Sequence, residues 1–351
     1  VYDNLHLHFR LPEPAHEFEV ALGKSLAFAN CNEQLDDKGR IRAQYRGMRI
    51  EYVPGEYCGR VRGSVHTFAQ GSNVGVFTAA EVVQACTDLA SSLGLPPEVF
   101  VACKLEAGVN IVVPSSPLPF LETLSRHKKS PFHPLAPPSG CLRPLEYLAV
   151  HADYRLKYYD KGNYAARQGT PLPMGCRHLL RFEVVFPRIR ILRKLTGRTN
   201  LTLLDLAAPD VLSAVASYVQ EQWEKTVRRL PLNYPNLSIG HAALLYSGGD
   251  QRWWDAVRPT TPRSTFKRNQ AQYNQLQEQV KQQEGPHPYD LLMVDHMRAL
   301  SPNGLPELKV SPKIGTILHT CNHVEFGSRV EDKVVMGESA WSDYRASLLA
   351  A

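Results

Sequence analysis

The residue pattern predicts an α+β fold: strands paired in mixed or antiparallel sheets, with helices packed on one side. Two observations predict it. Segments 5–10, 40–53, 57–68, 99–113, 155–160 and 179–186 carry the alternating or apolar, β-prone residues of strands. The order of strands followed by a helix then occurs twice, once before residue 95 and once after it, which predicts two related α+β halves.

Taken in order, the strand at 5–10 is followed by strands at 40–53 and 57–68, joined near Pro54-Gly55. Thr78 and Glu81 have the spacing of a capping box, in which the hydroxyl and the carboxylate each satisfy a free backbone N–H. The helix behind it carries Val82, Val83, Cys86, Leu89, Ala90 and Leu93 on one face and stops at Gly94. Residues 99–113 form a strand ended by Pro114. The proline-rich and basic stretch 114–143 predicts a long surface loop. After the strands at 155–160 and 179–186, a helical region over 202–228 places Leu212, Val215, Ala216, Val219 and Trp223 on one face. Residues 263–284 form a polar, glutamine-rich helix that faces DNA, a partner or solvent, and short strands are expected near 314–319 and 332–336.

Bulk properties narrow the class. The chain has 351 residues, 43% apolar and 21% charged, an ordinary soluble composition. No apolar run approaches the roughly 18–20 residues that span a bilayer, and the first ten residues lack a signal-peptide layout, so a cytoplasmic protein with no membrane partner is expected. The seven cysteines are scattered without a CxxC pair, which fits reduced thiols. His319, Cys321 and His323 make only half of a zinc knuckle, and an ordinary strand or loop is the better reading. The net charge of +6 permits nucleic acid as a partner. Arg188, Arg190, Arg193, Lys194 and Arg198 cluster directly after the strand at 179–186, where they would neutralise phosphates; a solvated face is the plain alternative.

Strand alternation groups the chemically capable side chains. Lys157, Tyr159 and Lys161 share one face, and Tyr158 points the other way with Leu156. Arg181 and Glu183 share a face, as do Lys104, Glu106, Gly108 and Asn110, and also Arg60, Arg62, Ser64, His66 and Phe68. A tyrosine hydroxyl between lysines, with a carboxylate on another strand, has the makings of phosphoryl transfer to a phenol. Nearby cations would help the phenol lose its proton and steady the phosphate. A sheet with one wet face would show the same alternation without any chemistry.

A resemblance adds to this reading. The segments Gly63-Ser64-Val65-His66-Thr67-Phe68, Gly71-Ser72-Asn73 and Lys104-Leu105-Glu106-Ala107-Gly108-Val109-Asn110-Ile111 resemble the N-terminal half of replication initiation proteins of Bacteroidetes plasmids and phages. Leu156-Lys157-Tyr158-Tyr159-Asp160-Lys161-Gly162-Asn163-Tyr164 resembles that group's IKIYDKGxQY segment, Leu179-Leu180-Arg181-Phe182-Glu183 its LRFE, and Leu201-Thr202-Leu203-Leu204-Asp205-Leu206 its TLxDL. The group is similar in turn to the Rep_trans and filamentous-phage rolling-circle initiators. The resemblance implies a nicking enzyme that cuts one strand at a replication origin through a tyrosine, forms a 5′-phosphotyrosyl link and later rejoins the strand. It implies Tyr159 as nucleophile; Tyr158, standing where the group has an aliphatic residue, is the alternative catalytic tyrosine beside it. It also implies Glu106 and Glu183, with His66 as a weaker candidate, as ligands of Mg²⁺ or Mn²⁺, since hard ions favour carboxylate oxygen. Asn110 and Lys161 would orient the phosphate; Lys157, Arg181, Arg188, Arg190, Arg193 and Lys194 would bind DNA, as single strand or hairpin. On this reading residues 1–230 are the nicking domain and 231–351 a C-terminal region for DNA or a partner, in a bacterial cytoplasm. A homodimer is compatible with it. No GxxxxGK[ST] motif occurs, so a host helicase is implied.

Three alternatives stay open. His6-Leu7-His8 matches the His-hydrophobic-His metal motif of another class of nickases, with Tyr158-x-x-Lys161 as its tyrosine motif; against it, that motif normally lies on an internal strand after another has formed, whereas here it begins at residue 6, where edge-strand histidines are the simpler expectation. A DNA-binding or plasmid-maintenance protein without catalysis would use the same arginines, and in a structural protein Tyr159 and Glu183 would merely make a buried hydrogen bond.

Overall fold

In chain order the strands are β1 (Tyr2–Arg10), β2 (Gln34–Leu35), β3 (Ile41–Tyr45), β4 (Met48–Val53), β5 (Cys58–Ser64), β6 (Phe100–Val112), β7 (Leu124–His127), β8 (Ser130–Pro131), β9 (His133–Pro134), β10 (Glu146–Val150), β11 (Arg155–Asp160), β12 (Leu179–Phe186) and β13 (Thr226–Arg228). The helices are α1 (Ala15–Phe28), α2 (Val65–Gln70), α3 (Ala79–Leu93), α4 (Leu118–Thr123), α5 (Lys161–Arg167), α6 (Arg190–Thr196), α7 (Leu203–Leu206), α8 (Pro209–Glu224), α9 (Ile239–Gly248), α10 (Gln251–Val257), α11 (Arg263–Glu284) and α12 (Pro288–Leu300). They come from a computed structural model, which describes residues 2–11, 15–28, 34–35, 40–229, 237–284 and 287–300.

Ten strands form one antiparallel sheet in the order β2-β3-β4-β5-β1-β6-β12-β11-β10-β9. The order contains an internal repeat. β1 is followed by α1 and by the meander β3-β4-β5, whose last strand returns to pair with β1. β6 is followed by α4 and by the meander β10-β11-β12, whose last strand returns to pair with β6. The two units meet where β1 pairs with β6. The fold is therefore α+β and antiparallel, with two topologically related halves. β13, β7 and β8 form a small second sheet.

One face of the large sheet is apolar. Leu5, Leu7, Leu105, Ala107, Phe182, Val184, Leu156 and Tyr158 are all buried there. α8 covers its second half, with Trp223 against Tyr158 and Phe182 and Tyr218 against Phe186. α1 covers the first half, where the Tyr52 hydroxyl donates to Glu19. α3 starts at the expected capping box: the Thr78 side chain accepts from Glu81 N and the Glu81 carboxylate accepts from Thr78 N at 2.7 Å. It stops at Gly94, in the left-handed conformation. Of its expected core face, only Val83 turns outward.

Several elements differ from the sequence reading, each for a local reason. The 40–53 strand is a hairpin, because Arg46 and Gly47 both take positive φ and reverse the chain. The 57–68 strand ends at Ser64, whose hydroxyl accepts from Thr67 N and caps α2. The expected loop at 114–143 holds α4, β7, β8 and β9, because Phe120, Leu121, Leu124 and Phe132 find the core. Its prolines sit where they are tolerated, Pro117 and Pro119 at the start of α4 and Pro131 and Pro134 in two-residue strands. The 202–228 region divides into α7 and α8 at Pro209 and ends in β13. The strands expected near 314–319 and 332–336, and the His319-Cys321-His323 segment, lie outside the described residues.

Candidate functional site

The opposite face of the sheet is polar, and its centre holds a connected set of ionised side chains. Strand register brings them together: Glu183 on β12 lies between Gly108 on β6 and Lys157 on β11, and Arg181 lies between Asn110 and Tyr159. The Tyr159 hydroxyl donates to Glu183 Oε1 at 3.0 Å. Arg181 Nε donates to the same oxygen at 2.5 Å, and Lys157 Nζ reaches Oε2 at 3.2 Å. Gly108 permits this approach, since a Cβ there would lie 2.3 Å from the Phe182 carbonyl and 2.9 Å from Glu183 Cγ.

Glu106 forms the other side of the cluster. Its carboxylate meets Lys104 Nζ at 2.6 Å and Lys157 Nζ at 3.7 Å. Arg181 spends its remaining donors on Asn110 Oδ1 at 2.8 Å, the Asn73 carbonyl at 3.3 Å and Asp3 Oδ2 at 2.7 Å. Asn110 in turn donates to the carbonyls of Asn73 and Gly75, pinning the 71–77 segment over this end of the sheet. Lys161 does not continue β11. Asp160 caps α5, accepting from Asn163 N, so Lys161 is the first residue of that helix. It still enters the cluster, buried, with Nζ at 2.5 Å from Asn73 Oδ1.

Two acidic members were not legible as site residues. Asp3 is buried and pairs with Arg181, Ser64 and Asn73. The cause is a β-bulge: between Tyr2↔Ala107 and Leu5↔Leu105, both Asp3 and Asn4 stand opposite Glu106. Both then contact groups on the polar face, Asn4 donating to Glu106. Two adjacent polar residues in an otherwise alternating strand were the only signal. Glu146, on the undetected β10, lies opposite Tyr159.

Burial and charge set the protonation states. Burial alone would raise the Glu183 carboxyl, but Arg181 and Lys157 outweigh it and hold it below the usual range. Asp3 is lowered in the same way: burial is opposed by Arg181 and the Ser64 hydrogen bond. Lys157, despite its burial, is raised by Glu183, Glu106 and Glu146. The Tyr159 phenol is pushed well above its ordinary value, first by burial and then by the Glu183 charge it donates to. The expectation that flanking lysines would ease its ionisation fails in this resting arrangement, because Lys157 is bound to carboxylates and Lys161 to Asn73. Burial and then Arg181 lower Lys161 to about 8.

Tyr158 lies on the apolar face, fully buried, with its hydroxyl hydrogen-bonded to Thr226. Its side chain is packing, and Tyr159 is the tyrosine beside the charges. His66 sits in α2 rather than on a strand. Its Nε2 is 2.9 Å from Gln70 Oε1, its ring stacks on Phe77, and burial lowers its pKa to about 4. His6 and His8 are not edge residues, since β1 is a central strand. They lie opposite Arg62 and Arg60, with Lys104 also beside His6, and burial together with these cations lowers both pKa values, His6 to about 4. Neither has a carboxylate partner among the described residues, and Tyr158 is on the other side of the sheet.

The expected Mg²⁺ or Mn²⁺ would have to be held by the carboxylates of Glu106 and Glu183. Glu106 and Glu183 do converge on one cationic position, but the Lys157 ammonium fills it. Among the described residues no group of three or more His, Cys, Asp or Glu side chains is arranged to hold a metal. The donor set fits a protonated lysine, and a divalent ion would have to displace it.

Beyond the cluster the polar face carries Arg42, Arg49, Arg60 and Arg62 on the neighbouring strands β3, β4 and β5, with Glu51 among them 3.9 Å from Arg62, and Arg155 on β11. Arg188, Arg190 and Arg193, exposed, line an open cleft with His8, Val101 and Cys103. Arg190 is paired with Asp153 at 2.5 Å, and Lys194 is exposed on α6. No helix among the described residues is long and apolar enough to cross a membrane. The chain matches no protein-family model and no curated protein.

Proposed function

We propose that the protein is a DNA-nicking replication initiator in which Tyr159 attacks a phosphodiester of a single-stranded or hairpin origin. The observation that carries the reading is the Tyr159 hydroxyl donating to the buried Glu183 carboxylate at the centre of a basic sheet face. The ordered sequence motifs from residue 63 to 206 support it independently.

In the proposed step the phenol oxygen bonds to phosphorus, the phosphorus–O3′ bond breaks, and the phenol proton passes to Glu183 Oε1. The products are a 5′-phosphotyrosyl link and a free 3′-OH that primes synthesis. Because the resting phenol is held neutral, ionisation must accompany attack, with Glu183 as general base. Lys157 and Lys161 would balance the charge gathering on the phosphate. Lys161, lowered to about 8, is suited to return a proton to the leaving oxygen. The reverse reaction, by a second 3′-OH, rejoins the strand. A host helicase would unwind the duplex.

The test is covalent trapping. Labelled single-stranded and hairpin oligonucleotides from the replicon are incubated with the full chain, with Mg²⁺, with Mn²⁺ and with EDTA, and resolved under denaturing conditions. A labelled adduct should form with the wild type and with Tyr158→Phe, and be absent with Tyr159→Phe. An adduct that survives Tyr159→Phe refutes the choice of nucleophile. A plasmid-maintenance protein that binds DNA without chemistry would form no adduct with any variant.

A further inference from the structure

Residues 239–284 make a module with a separate apolar cluster. Leu245 of α9, Trp254 of α10, and Tyr273, Leu276 and Val280 of α11 are buried together, apart from the sheet core. Two features lock it. Gly248 lets α11 come close to α9, since a Cβ there would lie 2.5 Å from Tyr273 Cδ2. Trp254 packs edge-on against Phe266 and Tyr273 and donates from its indole N–H to the Gly248 carbonyl at 2.8 Å. α10, the connection 258–262 and α11, braced by α9, follow one another as in a helix–turn–helix, whose second helix enters a DNA groove.

The outward side of α11 has the matching chemistry. Arg263, Ser264, Lys267, Arg268, Gln270, Asn274 and Gln275 are exposed. The apolar residues at 266, 273, 276 and 280 are already used in the module's core, so no apolar stripe remains for a partner helix. The exposed residues belong to the types that read base edges, Arg and Lys on guanine and Asn and Gln on adenine. The charge is ordered along the helix: the first six residues hold three cations and no acid, and the first acid is Glu278. Arg258, exposed in the connection, extends the basic surface. At about 1.5 Å per residue, the helix is long enough to lie along a major groove.

We infer that α9–α11 is a duplex-DNA recognition module, with the first three turns of α11 in the major groove. It rests on the preceding reading only in taking DNA as the ligand. The tyrosine site would act on an exposed strand, while this module would hold the duplex beside it.

The test measures binding of the full chain to a fluorescein-labelled 30-base-pair duplex of mixed sequence, in EDTA, across a salt series. A parallel series in Tyr159→Phe reads binding where no cleavage is possible, so failure of the nicking chemistry leaves this result standing. The triple variant R263A/K267A/R268A should bind at least about tenfold more weakly and lose about one unit of salt slope per phosphate contact removed. All three side chains are exposed, so an unchanged melting temperature shows that the fold is intact. Equal affinity with equal slope overturns the inference. So does a wild type that fails to bind the duplex, an outcome that leaves the face to a protein partner.

Discussion

Arg181 holds the candidate site together, and replacing it with methionine tests that role. The side chain is 3% exposed and stands between Asp3 and Glu183, which are 7% and 2% exposed. Arg181→Met leaves a similar volume but removes the positive charge. Glu183 keeps Lys157, whereas Asp3 keeps hydrogen bonds from Ser64 and Asn73 and only the weaker influence of the Lys161 charge. Breaking a buried ion pair by deleting one partner costs about 3–5 kcal/mol, since a charge is left buried without compensation. The cost should depend on pH. In the wild type, Asp3 and Glu183 have lowered folded pKa values, so their contribution is full above the ordinary carboxylate range and is lost as pH falls through those lowered values. In the variant, burial acts on Asp3 with its nearest cation gone and raises its folded pKa, so acid relieves the variant's penalty. Urea denaturation at pH 7, 5.5 and 4.5 should show the gap between the proteins shrinking as pH falls. A gap under about 1 kcal/mol at pH 7, or one constant across the series, refutes the account of Arg181 as the charge that makes this burial tolerable.

Other consequences follow from single contacts. Gly108→Ala should push Glu183 out of register, lowering adduct formation by more than about tenfold while costing about 1–3 kcal/mol of stability, read by trapping and by urea melts. Thr78→Ala removes the capping hydroxyl of α3 and should cost about 1 kcal/mol in the same melts without altering the site. His66 is buried with a pKa lowered to about 4, so the unfolded chain binds its proton first. Its contribution is full above about pH 6.5 and declines toward pH 4, by up to roughly 1.4 kcal/mol per unit, and His66→Phe should flatten that slope. Adduct formation should weaken above about pH 8 as Lys161 loses its charge, and Lys161→Arg should move that limb upward in a pH–rate profile.

The elements that were legible in the sequence are those whose signal is local. The capping box at Thr78 and Glu81, the strands carrying Glu106, Tyr159 and Glu183, and the polar helix 263–284 each depend on spacing within a few residues. Alternation separated Tyr158 from Tyr159 for the same reason, since adjacent side chains on a strand must point to opposite faces. Sequence order alone also placed strands and helices so that two related halves were expected.

What depended on distant partners was not legible. Ser64 and Asp160 end their strands by capping helices, which moved His66 off the sheet face and Lys161 onto a helix. Asp3 reached the site through a bulge defined only by pairing with β6, and β10 with Glu146 became visible only beside β11. The tertiary structure also decided the electrostatics. Flanking lysines looked in sequence like groups that would acidify Tyr159, but once the strands are paired Lys157 neutralises Glu106 and Glu183, Lys161 meets Asn73, and the phenol is left neutral against a buried carboxylate. Strand alternation says which side chains share a face; which charge meets which is settled by register and burial, and those exist only in the folded sheet.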